Sequence, residues 1–237
     1  MNQDEIIARA IQAKEDGAEH FSIVTSGRRL CREEVITVAR IIEHIVHAVG
    51  IIPCTSLGIL DHNDFQLLRN AGLARYHHNL ETSKEFFPRT VTTHTFRDRV
   101  ATIIAAKEAG LEVCAGGIFG LGETEDDWIS MAITLRDLEV DSVPLNILIP
   151  IAETPFANLP PLPILDILRS IALFRLILKK PSIRIAAGRE RHLADFLGTA
   201  FLAGADGMMI GGYLTQAGRS PAEDLCLVDQ VKQLWSG

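Results

Sequence analysis

Apolar residues fall at two different spacings along this chain, and the two alternate. Short runs dense in aliphatic and β-branched residues predict strands at 21–25, 52–57, 75–80, 112–116, 143–148, 183–187 and 207–210. Between them, apolar positions three and four apart predict helices. The first spans 4–15, with Ile6, Ile7, Ala10 and Ile11 on one face, and the next spans 32–47 with Val35, Val38, Ile41, Ile42 and Ile45. Helices over 63–70, 95–109, 125–138, 164–179, 193–202 and 221–235 complete the set. Four helix-to-strand turns share one form, Gly17-Ala18, Gly72-Leu73, Gly110-Leu111 and Gly204-Ala205, and Gly50-Ile51 is a close variant. Glycine accepts the left-handed geometry that closes a helix, so each pair reads as a helix end feeding a strand. Thr124 before Glu125-Asp126-Asp127 reads as a capping hydroxyl followed by first-turn carboxylates.

Helix and strand alternating in this way imply a parallel sheet with crossover helices. The expected fold is α/β, a (β/α)8 TIM-type barrel. A full barrel of this kind has eight strands in typically about 250 residues. This chain opens on a helix and supplies about seven parallel strands, so the barrel is expected to be truncated at its N-terminus. Barrels and doubly wound sheets bind ligands at the carboxyl ends of their strands. That edge here carries Cys54, Asn79, Glu81, Cys114, Asn146 and Arg184, a set expected to converge in one cavity.

The chain's 237 residues suit one large domain, 1–237, with a substantial core. No Gly/Ser tract or block of like charge interrupts it, and Leu159-Pro160-Pro161-Leu162-Pro163 reads as a loop ahead of a helix. A net charge of −7 argues against nucleic acid and anionic membranes as partners. No apolar run reaches the eighteen or so residues of a membrane span. The polar, acidic start Met1-Asn2-Gln3-Asp4-Glu5 excludes a secretory signal. The four cysteines, at 31, 54, 114 and 226, are too widely spaced for a disulfide framework, which suits a reducing cytoplasm.

Cys54 and Cys114 read either as small buried hydrophobes or, on neighbouring strands, as soft-metal ligands. Arg184, between two isoleucines, is expected to point inward, where its charge demands a partner: a structural ion pair or a ligand. Asn146 carries an amide that must be hydrogen-bonded in a core. Asn79 and Glu81, two apart, are expected on one face, suited to a ribose diol or to a salt-bridge network. His77 and His78 are adjacent on a strand, point to opposite sides and do not grip one ion together. The Gly116–Gly122 stretch is a glycine-rich loop that lets backbone approach a ligand but lacks the dinucleotide and P-loop patterns.

Four ordered segments resemble the biotin synthase family of radical S-adenosylmethionine enzymes, over essentially the whole chain. Tyr76-His77-His78-Asn79-Leu80-Glu81-Thr82-Ser83 is similar to that family's Y-N-H-N-L-D-T-S, and Cys114 through Thr124 to its C-x-G-G-I-x-G-L-G-E-T. Val143-Pro144-Leu145-Asn146 resembles V-P-x-N, and Arg184 through Glu190 resembles R-x-x-A-G-R-E. The resemblance implies radical sulfur insertion into dethiobiotin. It implies S-adenosylmethionine and a 4Fe-4S cluster as cofactors, with a 2Fe-2S or other auxiliary iron–sulfur cluster as sulfur donor. By the same resemblance Cys54, Cys114 and Arg184 are ligands of the auxiliary cluster. Asn79 and Glu81 hold the cofactor ribose, Ile118 packs on adenine, and Asn146, helped by Asn79, binds the ureido ring of dethiobiotin. It also implies a reductant protein such as flavodoxin or ferredoxin, and a homodimer.

Two departures qualify what the resemblance implies. The family's Cys-x3-Cys-x2-Cys loop, which binds the four-iron cluster, has no counterpart among cysteines at 31, 54, 114 and 226, and Met1 falls at a point inside the family's sequence. The chain alone is therefore expected not to make biotin. Ser22 stands where the family has a further cysteine ligand, and a hydroxyl is a harder, far less acidic ligand than a thiol. Cys31 and Cys226 are candidate substitutes for that ligand, but their positions near helices read as structural. Rival readings are a non-catalytic ligand-binding or complementing fragment, and a related radical enzyme with another substrate.

Overall fold

The computed structural model describes residues 2–210 and 218–234. It contains two compact units, Met1–Asn79 with Arg97–Cys114, and Leu80–Phe96 with Ala115–Gly237.

In the first unit α1 (Gln3–Glu15) leads into β1 (His20–Val24), α2 (Arg32–His44) into β2 (Ile52–Ser56), α3 (His62–Asn70) into β3 (Arg75–His77), and α4 (Phe96–Glu108) into β4 (Glu112–Cys114). The strands pair in that order and all pairs are parallel. Helix starts follow their sequence signals: Asn2 caps α1 in a capping box with Glu5, and Asp61 caps α3 through the Asp64 N–H. α2 closes with a π turn, Ile45–Val49, before Gly50. The five glycines singled out at helix-to-strand turns all have left-handed φ, from 70° at Gly50 to 123° at Gly204. One face of this sheet is apolar, with Ile23, Pro53, Thr55, Tyr76 and Val113 buried. Phe65 of α3 meets the Tyr76 ring edge-on at 4.7 Å on that side. Burial raises the Tyr76 pKa well above its ordinary value; the hydroxyl donates to the Gly58 carbonyl at 2.5 Å and accepts from the Leu57 N–H at 3.2 Å.

The second unit holds β5 (Gly117–Phe119), α5 (Glu125–Asp137), β6 (Ser142–Ile147), α6 (Ile164–Ile177), β7 (Ser182–Ile185), α7 (Arg189–Leu193), α8 (Thr199–Leu202), β8 (Gly207–Met208) and α9 (Pro221–Gln233). β5 to β8 pair in sequence order, again parallel. Its core lies on the side of Val143, Leu145, Ile147, Ile183 and Ile185. There Phe119 packs edge-on against Trp128 of α5 at 5.6 Å and Phe174 of α6 at 5.3 Å. Thr124 caps α5 in a capping box with Asp127, as its sequence predicts.

Two expectations are corrected. The stretch read as a glycine-rich loop contains a strand, β5, whose pairing with β6 overrides the low strand propensity of its glycine. The helix expected over 193–202 is broken into α7, a 3-10 turn at Ala194–Phe196 and α8, because Ala194 adopts φ 43° and ends the first piece. Trp235, the expected end of the last helix, lies outside the described residues. No helix among the described residues is long and apolar enough to cross a membrane.

Candidate active site

Strand register decides which side chains of the first unit face together. Ser22 lies opposite Cys54, Cys54 opposite Arg75, Arg75 opposite Glu112, and His77 opposite Cys114. Residues in register on parallel strands point to the same side, as do residues two apart. Ser22, Cys54, Arg75, His77, Glu112 and Cys114 therefore share one face, opposite the apolar one. Both thiols are buried and neither is in a disulfide, while Ser22 is exposed. The sequence pattern places the two cysteines on neighbouring strands; the structure corrects this, because β3 runs between β2 and β4. Arg75 reaches along this face to Glu112, with Nη2 2.6 Å and Nε 3.0 Å from the same carboxylate oxygen. His77 is half-buried on the thiol side, whereas His78 is buried on the other, stacked on Tyr76 with ring centroids 6.1 Å apart. The opposite placement of the two histidines is as predicted. Asn79, half-buried, continues the alternation beyond β3.

In the second unit Ile118 lies opposite Asn146, and Pro144 opposite Arg184, which lies opposite Gly207. By the same parity Ile118, Asn146 and Arg184 share the face turned away from the apolar core. The Asn146 amide bridges both neighbouring strands: its Nδ2 donates to the Gly117 carbonyl and its Oδ1 accepts from the Ala187 N–H, each at 3.2 Å. An asparagine amide has two N–H donors and two acceptor lone pairs, so one of each is left over. Arg184 forms no ion pair among the described residues; its Nε makes a long contact of 3.4 Å to Ser182 Oγ, which in turn donates to Asp206 at 2.7 Å.

Glu81 departs from the regular strand geometry that placed it beside Asn79 in the sequence reading. β3 ends at His77, and Glu81 has φ 71°. Its backbone is held on both sides, the N–H donating to the Gly116 carbonyl at 3.2 Å and the carbonyl accepting from the Ile118 N–H at 2.8 Å. Close approach of Pro144 to Gly116, and of Glu81 to Gly117, explains the glycine pair. A Cβ on Gly116 would lie 1.9 Å from the Pro144 oxygen, and one on Gly117 2.6 Å from the Glu81 oxygen. Left-handed backbone at a non-glycine residue is costly and persists where the surroundings enforce it.

Three supports escaped the sequence reading. Glu123 Oε1 accepts from the Gly120 N–H at 2.8 Å and from Trp128 Nε1 at 2.7 Å, so one carboxylate pins the turn after β5 to α5. Ser83 Oγ donates to Asp127 at 2.6 Å and accepts from the Phe86 N–H at 2.9 Å, fixing the loop that follows Glu81. The bonds from Ser83 and Thr124 hold the Asp127 carboxyl below its ordinary pKa although burial opposes them. Glu123 and Ser83 both stand inside the motifs already quoted, which was the available signal. The third support, an ion pair between Arg189 and Asp224, joins residues 35 apart and left no local trace.

Residues 1–135 match the Radical SAM superfamily, and residues 144–232 match the Biotin and Thiamin Synthesis associated domain. The biotin synthase of Thermotoga neapolitana is 50% identical over 235 residues, covering 99% of this chain and 84% of that protein. That of Heliobacterium modesticaldum is 49% identical over 225 residues, covering 95% of this chain and 69% of the other. This chain belongs to the biotin synthase family. It is an enzyme of the biotin synthase type within the radical S-adenosylmethionine superfamily. Among solved structures, methylornithine synthase (PylB) superposes with a TM-score of 0.81 at 18% identity, over 99% of this chain and 72% of that one. The hydrogenase maturase HydG gives 0.82 at 15% identity, over 98% and 56%. These likenesses show the α/β, TIM-type barrel class expected from the alternation of helix and strand.

Superfamily membership implies S-adenosylmethionine and a 4Fe-4S cluster. A three-thiolate cluster site does not fit the residues of this chain. Its four cysteines include no closely spaced trio, and no group of three or more His, Cys, Asp or Glu is placed to hold a metal among the described residues. Cys54 and Cys114 fit a soft metal in donor type and in sharing a face, with β3 between their strands.

Proposed function

We propose that this chain supplies the substrate- and cofactor-binding part of a biotin synthase whose substrate is dethiobiotin. The observation that carries this is the half-used amide of Asn146. Backbone groups on either side occupy one donor and one acceptor. The remaining N–H and lone pair match the carbonyl and N–H of a cyclic urea, and the backbone bonds fix their direction before any ligand arrives. Asn79 and Glu81 are assigned to the cofactor ribose and Ile118 to adenine. Cys54, Cys114 and Arg184 are assigned to an auxiliary 2Fe-2S or related cluster. An inward arginine without a carboxylate partner suits an anionic, sulfur-bearing group, and Ser22, opposite Cys54, marks where that ligand set departs from three thiols.

No chemical step is assigned to this polypeptide alone, because the thiolates for a four-iron cluster are not in its sequence. We assign it further to the cytoplasm, to a homodimer, and to reduction by flavodoxin or ferredoxin in any assembly that supplies the cluster loop. Titration calorimetry with dethiobiotin tests the binding role. Asn146→Ala is expected to weaken binding by about tenfold, equivalent to about 1.4 kcal/mol, and an unchanged affinity would refute the assignment. Anaerobic reconstitution with iron, sulfide, reductant, cofactor and dethiobiotin tests the rest: 5′-deoxyadenosine above background would overturn the expected inactivity.

A further inference from the structure

The carboxyl ends of β6 and β7 form a tightly tied corner. Ala187 is bonded to β6 in both directions, its carbonyl accepting from the Ile147 N–H at 2.8 Å and its N–H donating to Asn146 Oδ1 at 3.2 Å. Gly188 follows with φ 85°, so close to β6 that a Cβ would stand 2.2 Å from the Ile147 oxygen. The next residue, Arg189, is fully buried, and its Nη2 lies 2.7 Å from Oδ2 of an equally buried Asp224 on α9. Glu190 lies 3.1 Å from the same Nη2 and also accepts the Arg219 N–H, just ahead of α9, at 2.8 Å. The distant first turn of α9 is thus joined to the substrate-facing amide through two residues of rigid backbone.

We propose that Asp224 is a positioning residue for Asn146, acting through Arg189 and the Ala187-Gly188 turn. The inference rests on Asn146 as the urea-binding residue. A buried guanidinium that loses the nearer of two acids, Asp224 at 2.7 Å and Glu190 at 3.1 Å, is less well compensated and is drawn toward its remaining acceptors or water. Gly188 has no free space against β6, so displacement of the Arg189 backbone is passed on to Ala187, whose N–H orients the Asn146 carbonyl. Binding geometry is sensitive to displacements on the order of 1 Å. The effect is therefore expected in ligand affinity as well as in stability.

The test uses the 237-residue chain and compares Asp224→Asn with Asp229→Asn, an exposed position on the same helix. Three quantities are measured: dethiobiotin affinity, S-adenosylmethionine affinity, and the NMR signals and hydrogen exchange of the Asn146 side chain and the Ala187 N–H. Asp224→Asn is expected to shift both signals, speed Ala187 exchange and weaken dethiobiotin by about tenfold, leaving cofactor affinity unchanged. Asp229→Asn is expected to change none of these. In an Asn146→Ala background Asp224→Asn is expected to add no further loss. If Asp224→Asn does not fold, the apolar pair Arg189→Met with Asp224→Leu replaces it, since buried ion pairs often tolerate such exchange. Unmoved Ala187 and Asn146 signals in a folded variant would overturn the proposal, as would an equal loss of both ligands. Should Asn146→Ala leave dethiobiotin affinity intact while Asp224→Asn still moves both signals, the substrate assignment fails and the positioning stands.

Discussion

In the first unit the row Ser22, Cys54, Arg75 and Glu112 places a buried arginine against a carboxylate that is 55% exposed. In the second, Arg189 and Asp224 are both 0% exposed, while Arg184, on the face turned away from the apolar core, has no carboxylate at all among the described residues. A pair with one end in water is cheap to break, because the released acid rehydrates. A fully buried pair strands a charge when broken. Arg184 keeps only a long contact to Ser182 Oγ at 3.4 Å. The comparison separates scaffold from site by how each charge is matched, independently of any motif.

The comparison is most exposed to failure at the buried pair. Arg189→Ala is expected to lower stability by about 3–5 kcal/mol, against about 1 kcal/mol from the lost ion pair in Arg75→Ala, which releases the exposed Glu112 into water, both read from urea unfolding. Equal losses would erase the distinction. Tyr76→Phe comes next. It removes one hydroxyl that serves both Gly58 and Leu57, and is expected to cost about 1–3 kcal/mol, placing a neutral buried group between the two charged cases. His192 in the second unit sharpens the contrast through pH. Burial lowers its pKa despite a bond to the Leu148 backbone, and its Nε2 has no partner among the described residues. The folded state holds the ring neutral, so its contribution is intact above the unfolded pKa near about 6.5. That stability is lost as pH falls through the lower folded value, because the unfolded chain binds the proton first. Unfolding midpoints between pH 7.5 and 5 are expected to fall more steeply for the parent than for His192→Asn. The smallest effect is expected at Glu81, where φ 71° favours asparagine. Glu81→Asn is expected to stabilise the chain by roughly 1 kcal/mol or less while weakening S-adenosylmethionine binding, if the carboxylate serves the ribose.

Much of the fold was legible because its signals are local. The seven strands announced themselves by composition, the five turn glycines by their place after a helix, and the α5 cap by Thr124 with Asp127 three residues on. What escaped depends on distant partners. β5 exists because Gly117 through Phe119 pair with Leu145 through Ile147, which no property of the glycines foretold. The break at Ala194 is a backbone conformation that alanine does not advertise. The candidate residues were readable as a polar set within apolar strands, but their facing was not. Cys114 sits between Val113 and Ala115, and Cys54 between Pro53 and Thr55, so composition gave no phase, and register with Arg75 and His77 supplied it. Glu81 lies past the end of β3, where the backbone turns left-handed, so alternation along the strand does not fix its facing.

The strand that separates Cys54 from Cys114 has a practical corollary. Two strand spacings across and two residues along set their backbones about 11–12 Å apart, well beyond the reach of a sulfur–sulfur bond. Air should therefore leave these thiols unlinked, and a colorimetric titration of protein purified on the open bench, once denatured, should still find both of them reduced.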